Sequence, residues 1–359
     1  MQNGRGRWLL AGGTLVLVAA LGWVFVMGLQ QSVGASVEPS DPLAAVLLPR
    51  TDGSRLVVVD LATSRVVRKI ELRSLATDIA VDASSGLVAG AQAGGLGPAV
   101  DRAASLTDAR TGAVRYVELP IVDPGDVACV DGRAFLLHST VDASGTGFSV
   151  VEVASGRVVG SGHVAGPPGL WASAAGAVWS TGEDSSGRPS LCRIDPHSLS
   201  VSAFRLGTLA PTGLAQVGGR PLVLGTEGAG TQDASGGVVV IDPQGGTAVA
   251  RGSVSGLLRS PQRAVQVGGR LVLGDWNGDE PEGGALRVLD VTTLRDLGPL
   301  GVDGIPCALA AWGDRLLVVD REGGRLLVVD PATGRAMSAI ELGEKDFVFS
   351  DVVVVEARR

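Results

Sequence analysis

Short apolar runs that end in an acidic residue recur along the chain from residue 44 onward. Seven of these runs are clear, and the acids that end them are Asp60, Asp108, Glu152, Asp195, Asp242, Asp290 and Asp330. Successive acids are 48, 44, 43, 47, 48 and 40 residues apart. Apolar runs cut by Gly, Asp and Pro are typical of short β-strands joined by tight turns. A period of about 40–50 residues with several strands in each unit indicates the blades of a propeller.

Each unit is predicted to contain four strands, of which the run that ends in the acid is the third. The segment Asp330-Pro-Ala-Thr-Gly334 has the composition of the turn that leads to the fourth strand, because Asp accepts nearby backbone N–H groups and Gly adopts positive φ. The seven acids lie on seven different blades. We therefore interpret them as turn residues, and we reject the alternative that they bind a metal.

The two ends of the repeat region predict how the ring closes. Ala44–Leu48 begins a unit that lacks its first strand, and Ser350–Glu356 is a single strand left over at the C-terminus. Pairing the two completes the first blade and leaves no free sheet edge. We therefore predict an all-β fold, a seven-bladed β-propeller over residues 44–357, closed by pairing of the C-terminal strand with the N-terminal blade.

The N-terminal segment has a different pattern. Residues 8–29 carry no charge and follow Arg5 and Arg7, and a helix of 22 residues would span about 33 Å, enough to cross a bilayer. Charge placement predicts residues 1–7 as a cytoplasmic stub, 8–29 as a transmembrane signal-anchor and 30–43 as a linker. The propeller would then lie outside the cytoplasm, on a single-pass protein of the cell membrane. A signal peptide cleaved near Ala35, which would release a secreted protein, is the alternative.

Composition narrows the choice of function. The formal net charge is −7, whereas a nucleic-acid partner requires a basic surface, so we expect none. The cysteines Cys129, Cys192 and Cys307 are odd in number, which argues against a disulfide framework. Only three histidines occur, and we expect them on different blades. No nucleophile has a plausible base nearby, so the sequence favours a binding protein over an enzyme.

The repeat resembles the YVTN-type β-propeller repeat family over nearly all of residues 44–357. The family's Gly-x-x-Pro lead-in and its strand ending in Ile-Asp-x-x-Thr-Gly are approximated by Gly166-Pro-Pro-Gly-Leu170, Ala210-Pro-Thr-Gly-Leu214, Gly304-Ile-Pro-Cys-Ala308, Val240-Ile-Asp-Pro243 and Val329-Asp-Pro-Ala-Thr-Gly334. The second strand departs from the family's Tyr-Val-x-Asn. The resemblance implies a seven-bladed fold, and it does not choose between binding proteins, lactonases and quinone-dependent dehydrogenases.

The loops between second and third strands are predicted to emerge on one face, together with the connections between blades, and several are acidic. The candidate ligand-binding residues are Asp275, Trp276, Asn277, Asp279 and Glu282. Their oxygen atoms at mostly alternating positions suit Ca²⁺, with Asp275, Asn277 and Asp279 as the candidate ligands; a solvated acidic loop is the alternative. Trp276 could stack on a sugar or a cation, or pack against a neighbouring blade.

These observations lead to two functional hypotheses. The first is a membrane-anchored binding or scaffolding module that engages a protein, a cell-envelope polymer or a cation through its acidic loop face, without a cofactor unless Ca²⁺ binds. The second is an extracytoplasmic hydrolase or lactonase-like enzyme that uses carboxylates near the central channel. A purely structural domain of a larger membrane complex is a third alternative.

Overall fold

A computed structural model of the chain describes residues 42–50, 53–94, 101–120, 123–142, 145–165, 171–183, 188–227, 235–254, 263–275, 285–345, 347 and 350–356. Within these ranges every regular element is a β-strand, and no helix is long and apolar enough to cross a membrane. The predicted stub, the predicted signal-anchor and all but the last two residues of the predicted linker lie outside the described residues.

Twenty-eight strands are present in the described ranges. The first three are β1 (Leu43–Arg50), β2 (Gly53–Asp60) and β3 (Arg65–Leu72). The next eight are β4 (Leu75–Val81), β5 (Leu87–Gly94), β6 (Ala103–Asp108), β7 (Val114–Glu118), β8 (Pro124–Val130), β9 (Arg133–Asp142), β10 (Gly145–Glu152) and β11 (Arg157–Val164). They are followed by β12 (Trp171–Ala174), β13 (Ala177–Glu183), β14 (Pro189–Ile194), β15 (Val201–Arg205), β16 (Ala210–Val217), β17 (Arg220–Glu227), β18 (Ser235–Ile241) and β19 (Ala248–Val254). The last nine are β20 (Arg263–Val267), β21 (Arg270–Asp275), β22 (Ala285–Asp290), β23 (Asp296–Leu300), β24 (Pro306–Trp312), β25 (Arg315–Asp320), β26 (Arg325–Val329), β27 (Ala336–Glu341) and β28 (Asp351–Val355).

The strands form seven antiparallel sheets of four strands each. Blade one has the order β28-β1-β2-β3, and blades two to seven take four consecutive strands each, from β4–β7 to β24–β27. The first strands of neighbouring blades, β28, β4, β8, β12, β16, β20 and β24, contact one another in a closed ring. The chain is a seven-bladed β-propeller. The predicted closure is confirmed, since β28 pairs with β1 from Leu43↔Val355 to Leu47↔Asp351.

Apolar side chains lie between the blades and not in one central core. The described residues form seven buried clusters, one for each pair of neighbouring blades. The cluster between blades seven and one joins Leu326 to Val57 and includes Phe347, which lies between the last two strands. Because side chains alternate across each strand, every interior strand supplies apolar residues to the blade on each side. This explains the nearly uninterrupted Val and Leu runs of the second and third strands.

The propeller has two different faces. Tight turns join first to second strands and third to fourth strands on one of them, which we call the turn face; the other carries the second-to-third and blade-to-blade connections, and we call it the connection face. The acids of the repeat cap turns on the turn face: Asp330 Oδ1 accepts the N–H of Ala332 at 2.8 Å, and Asp60 Oδ1 accepts that of Thr63 at 2.9 Å. The chain also enters the ring on the turn face, where Pro42 O accepts the N–H of Leu61 at 3.2 Å.

The structure corrects the predicted placement of the histidines and describes the three cysteines. The histidines do not all lie on different blades, because His138 in β9 and His163 in β11 both belong to blade three, and His197 follows β14 in blade four. His138 lies in the strand before β10 and His163 in the strand after it, so the repeat itself places both in the blade whose third strand ends at Glu152. The three cysteines are free thiols, of which Cys192 and Cys307 are buried.

Candidate functional site

Four of the inner strands carry a charged residue at the same register position. Asp126 in β8 and Arg263 in β20 each stand four residues before the residue that leads into the first turn. Asp78 in β4 has the same offset from Asp82, whose N–H bonds across that turn to Leu87. Asp351 in β28 stands four residues before Val355, which pairs with the first residue of β1. The four residues therefore lie at one level of the ring, at or near the connection-face end of the inner strands.

The local backbone helps to aim two of these carboxylates. A β-bulge precedes Asp78, between Ala76 and Asp78, and another precedes Asp126, between Pro124 and Asp126. Bulges bend a strand and redirect the side chain that follows. Gly213 and Ala308 occupy the same register position in blades five and seven, where similar bulges occur. The bulge therefore belongs to the repeat, whereas the charges are particular to a few blades.

Two of the carboxyl groups are tied to the neighbouring strand in the same way. Asp351 Oδ2 accepts the N–H of Ile79 at 3.3 Å, and Asp78 Oδ2 accepts the N–H of Val127 at 2.8 Å. Asp351 Oδ1 also accepts the N–H of Val352 at 2.8 Å. The carboxyl groups of Asp78 and Asp351 further share a hydrogen bond. The inner strands of blades one, two and three are thus linked by side chains as well as by packing.

Arg263 approaches this carboxylate group from across the ring. It belongs to blade six, yet its Nη2 lies 4.0 Å from Asp78 Oδ1 in blade two. The Asp78 side chain is 11 % exposed, while Arg263 keeps 44 % of its side chain open. The exposed part of Arg263 faces the channel, with protein on all sides, so its environment is less aqueous than an outer surface. We call Asp78, Asp126, Asp351 and Arg263 the channel cluster.

A cavity of about 600 Å³ adjoins the channel cluster. Inner-strand residues of blades four to seven line it, and Arg263 and Asp351 reach its wall. The remaining lining is mostly small or uncharged and includes Ser173, Gln216 and Gln266. Pockets that take small ligands have about this volume and combine an apolar wall with a few polar groups.

The enclosure of the cluster changes its proton affinities. Burial, followed by the negative charges of Asp351 and Asp126, holds the pKa of Asp78 well above its usual range. Burial also raises the pKa of Asp126 to about 6, with the charge of Arg263 opposing the rise and that of Asp351 adding to it. For Arg263 desolvation acts to lower the pKa, but the charges of the three aspartates outweigh it and raise the pKa. Perturbed carboxyl groups in a cleft are a common property of functional sites.

The channel cluster does not resemble a metal centre. Among the residues that the structure describes, no group of three or more His, Cys, Asp or Glu side chains is placed to hold a metal ion. The cluster also contains a guanidinium group, which repels cations. Three carboxyl groups and one guanidinium can instead bind a polar organic molecule, or transfer a proton near neutral pH.

The residues predicted as a binding loop are only partly described. Asp275 is the last residue of β21 and its backbone pairs with Ala285, while Trp276, Asn277, Asp279 and Glu282 lie outside the described residues. The residue before Asp275, Gly274, pairs with Arg263. Strand β21 therefore ends beside Arg263, at the connection face, and the Ca²⁺ hypothesis for Asp275, Asn277 and Asp279 stays a prediction.

The sequence contained a signal for the channel cluster that the prediction did not use. Three inner strands contain an aspartate followed by apolar residues: Asp78-Ile-Ala, Asp126-Val-Ala and Asp351-Val-Val. The inner strand of blade six reads Arg263-Ala-Val-Gln-Val where that of blade five reads Gly213-Leu-Ala-Gln-Val. A charged residue at a position that is Gly in blade five and Ala in blade seven indicates a function that the repeat itself does not require. The sequence prediction considered the loops and therefore did not identify the channel cluster.

Comparison with known proteins supports the fold. No family model and no curated relative matches the chain. Solved structures do match: a functionally unknown protein from Desulfotomaculum acetoxidans has a TM-score of 0.64 at 12 % identity, over 87 % of this chain and 99 % of that one. A protein from Bacteroides uniformis, provisionally described as a 6-phosphogluconolactonase, has a TM-score of 0.61 at 14 % identity, over 88 % and 100 %. AztD from Citrobacter koseri has a TM-score of 0.53 at 13 % identity, over 87 % and 98 %. At these identities the likeness concerns the fold alone.

Proposed function

We propose that the chain is a binding propeller that takes its ligand on the connection face, at the end of the channel that holds the channel cluster. The observation that carries the proposal is the convergence of Asp78, Asp126, Asp351 and Arg263 from four blades beside a cavity of about 600 Å³. Burying three carboxyl groups and a guanidinium together costs stability. A purely structural repeat would be more stable with small apolar residues there, as at Ala308.

The proposal extends to the cellular setting predicted from the sequence. We propose that residues 8–29 anchor the protein in the cell membrane, with the propeller outside the cytoplasm, and that the chain is a divergent relative of the YVTN-type repeat proteins. The lack of charge in residues 8–29, after Arg5 and Arg7, supports the anchor. The ligand would then be a protein, an envelope polymer or a soluble molecule outside the cytoplasm.

Two substitutions test where the ligand binds. Ser173 lines the cavity and lies outside the apolar clusters, so Ser173→Trp should fill the cavity without disturbing the packing between blades. Ser202→Trp on the exposed outer strand of the same blade is the matched control. Each variant is exposed to an extract of extracytoplasmic metabolites and envelope fragments, and retained ligands are identified by native mass spectrometry. We expect retention by the wild type and by Ser202→Trp and loss by Ser173→Trp.

A third variant tests the loop beside the channel. Replacement of Asp275, Trp276 and Asp279 by Ala removes the predicted loop site. If this variant alone loses the ligand, the loop and not the channel is the site. If all variants retain the same ligands as the wild type, or if the wild type retains none, the proposal is wrong.

A hydrolase of the lactonase type is the second candidate, and the pKa of Asp126 favours it. A carboxyl group with a pKa of about 6 beside a more strongly perturbed one could act as a general acid or base near neutral pH. One of the neighbours in fold carries a provisional lactonase description. Hydrolysis of a lactone panel should then show an apparent pKa near 6 and be abolished in Asp126→Asn. Unchanged hydrolysis in that variant would exclude Asp126 from the reaction.

A further inference from the structure

The hydrogen bonds of the channel cluster divide it into two pairs. Asp78 and Asp351 bond to each other and to backbone N–H groups. The side chains of Asp126 and Arg263 make no hydrogen bond with another group in the described part of the chain, and the ion pair of Arg263 with Asp78 is 4.0 Å long. Arg263 lines the cavity, and Asp126 stands at the same level of the ring on the inner strand of blade three. These two side chains are therefore the members of the cluster that can still make hydrogen bonds to a ligand.

Neither Asp126 nor Arg263 has a buried side-chain polar atom without a partner, so their charged groups are open to the channel. Water in the channel can hydrate both. Yet burial raises the pKa of Asp126, which means that the available water does not solvate its charge as bulk water does. A ligand that supplies an ammonium group to Asp126 and an anionic group to Arg263 would satisfy both.

Other ligand classes fit the same groups less well. A metal ion would be repelled by Arg263, and the described residues offer no set of three metal ligands. A simple anion such as phosphate would leave Asp126 without a counter-charge. A neutral sugar would leave both charges without a counter-charge. A molecule with both an ammonium and a carboxylate group has no such conflict, since Arg binds carboxylates through paired N–H donors.

We propose, as an extension of the proposed function, that the channel binds a small zwitterion of the amino-acid or short-peptide class, with its ammonium group on Asp126 and its carboxylate on Arg263. The rest of the cavity suits such a ligand. Ser173 and Gln216 can hydrogen-bond to a polar side chain or a peptide group, and Ala172, Ala264 and Leu309 provide an apolar wall. The volume of about 600 Å³ admits a single amino acid or a dipeptide.

The test pairs changes in the ligand with changes in the protein. The twenty common amino acids and a set of dipeptides are screened against the wild-type chain by thermal shift, and the affinity of the best binder is measured by calorimetry. The same binder is then measured as its C-terminal amide, which lacks the carboxylate, and as its N-acetyl derivative, which lacks the ammonium group. Each change should weaken binding about 10- to 150-fold, the range for a lost charge-assisted hydrogen bond.

The protein variants identify which side chain meets which end. Arg263→Gln should bind the acid and the amide with equal affinity while still preferring the free amine to its N-acetyl derivative. Asp126→Asn should show the opposite loss of preference. Arg270→Gln, in the neighbouring strand of the same blade, is the control and should keep both preferences.

The outcomes separate this inference from the function on which it rests. If no amino acid or dipeptide binds, or if the amide and the N-acetyl derivative bind as well as the parent, the zwitterion inference is wrong. A different ligand whose retention is lost in Ser173→Trp would still support binding in the channel. If Ser173→Trp retains every ligand of the wild type, both the inference and channel binding fail.

Discussion

The cost of holding the Asp126 carboxylate in the channel can be measured as a pH-dependent gain in stability when the charge is removed. Burial, the largest influence, raises its pKa from 3.8 to about 6. A group with a raised pKa in the folded state favours folding when protonated and opposes it when ionised. The contribution of Asp126 to the free energy of unfolding should therefore fall as the pH rises from about 4 to about 7, and Asp126→Asn should remove that contribution.

The magnitude follows from the size of the pKa change. A rise from 3.8 to about 6 corresponds to roughly 3 kcal/mol at pH 7.5, at about 1.4 kcal/mol per pKa unit. Water in the channel screens part of this, so we expect Asp126→Asn to be about 2 kcal/mol more stable than the wild type at pH 7.5. That difference corresponds to a rise in Tm of about 3 °C for a domain of this size. Near pH 4 the two proteins should be equally stable.

Thermal and urea unfolding of both proteins at several pH values between 4 and 8 would measure the difference. Asp314→Asn is the matched control, because Asp314 lies in a tight turn on the turn face with 85 % of its side chain exposed. The control should show no pH-dependent change. A difference between Asp126→Asn and the wild type that is the same at pH 4 and pH 7.5 would refute the burial argument, and so would a variant that is less stable at pH 7.5.

Three other predictions concern the scaffold. Asp320 is 1 % exposed and accepts a 2.6 Å hydrogen bond from Arg325 Nη2. Asp320→Asn should lower the free energy of unfolding, measured by urea titration, by about 3 kcal/mol, because it leaves a partly buried guanidinium without its counter-charge. Gly334 has φ +75° and its Cβ position is blocked by Gly301 O, whereas Gly313 at φ +57° has open space; Gly334→Ala should therefore cost at least about 1 kcal/mol more than Gly313→Ala in the same titrations. Burial raises the pKa of Cys307 to about 12, so its alkylation by iodoacetamide at pH 8, followed by mass spectrometry, should proceed only after denaturation.

The sequence predicted the architecture because a propeller repeats its local rules. Each blade has its own turn acid and apolar third strand, and the unpaired strands at the two ends of the repeat have one arrangement that leaves no free edge. A mistake in one blade, such as the assignment of His138 and His163 to different blades, does not change the blade count. Repetition therefore made the fold more predictable than any single strand.

The site was harder to predict because its members are far apart in the chain. Asp78 and Asp351 differ by 273 positions in the numbering, and their hydrogen bond depends on ring closure, which brings blades one and two together at the channel. Their low exposure, and the raised pKa of Asp78, follow from that tertiary arrangement and not from neighbouring residues in the sequence. The loop that begins at Asp275 could be recognised from the sequence because its acidic residues lie close together in the chain. Their closeness in sequence is not evidence that they bind a ligand.

The closing strand β28 makes the channel cluster depend on closure of the ring. It carries Asp351, and Ser350 Oγ donates to Leu47 O at 2.7 Å where the strand joins β1. The cluster is complete only when the last strand of the chain is docked beside the first blade. A ligand that contacts Asp351 would thus stabilise the pairing of the C-terminal strand with the first blade. Occupancy of the channel would slow hydrogen exchange and proteolysis of the C-terminal strand first. Ligand binding and closure of the ring would then be linked.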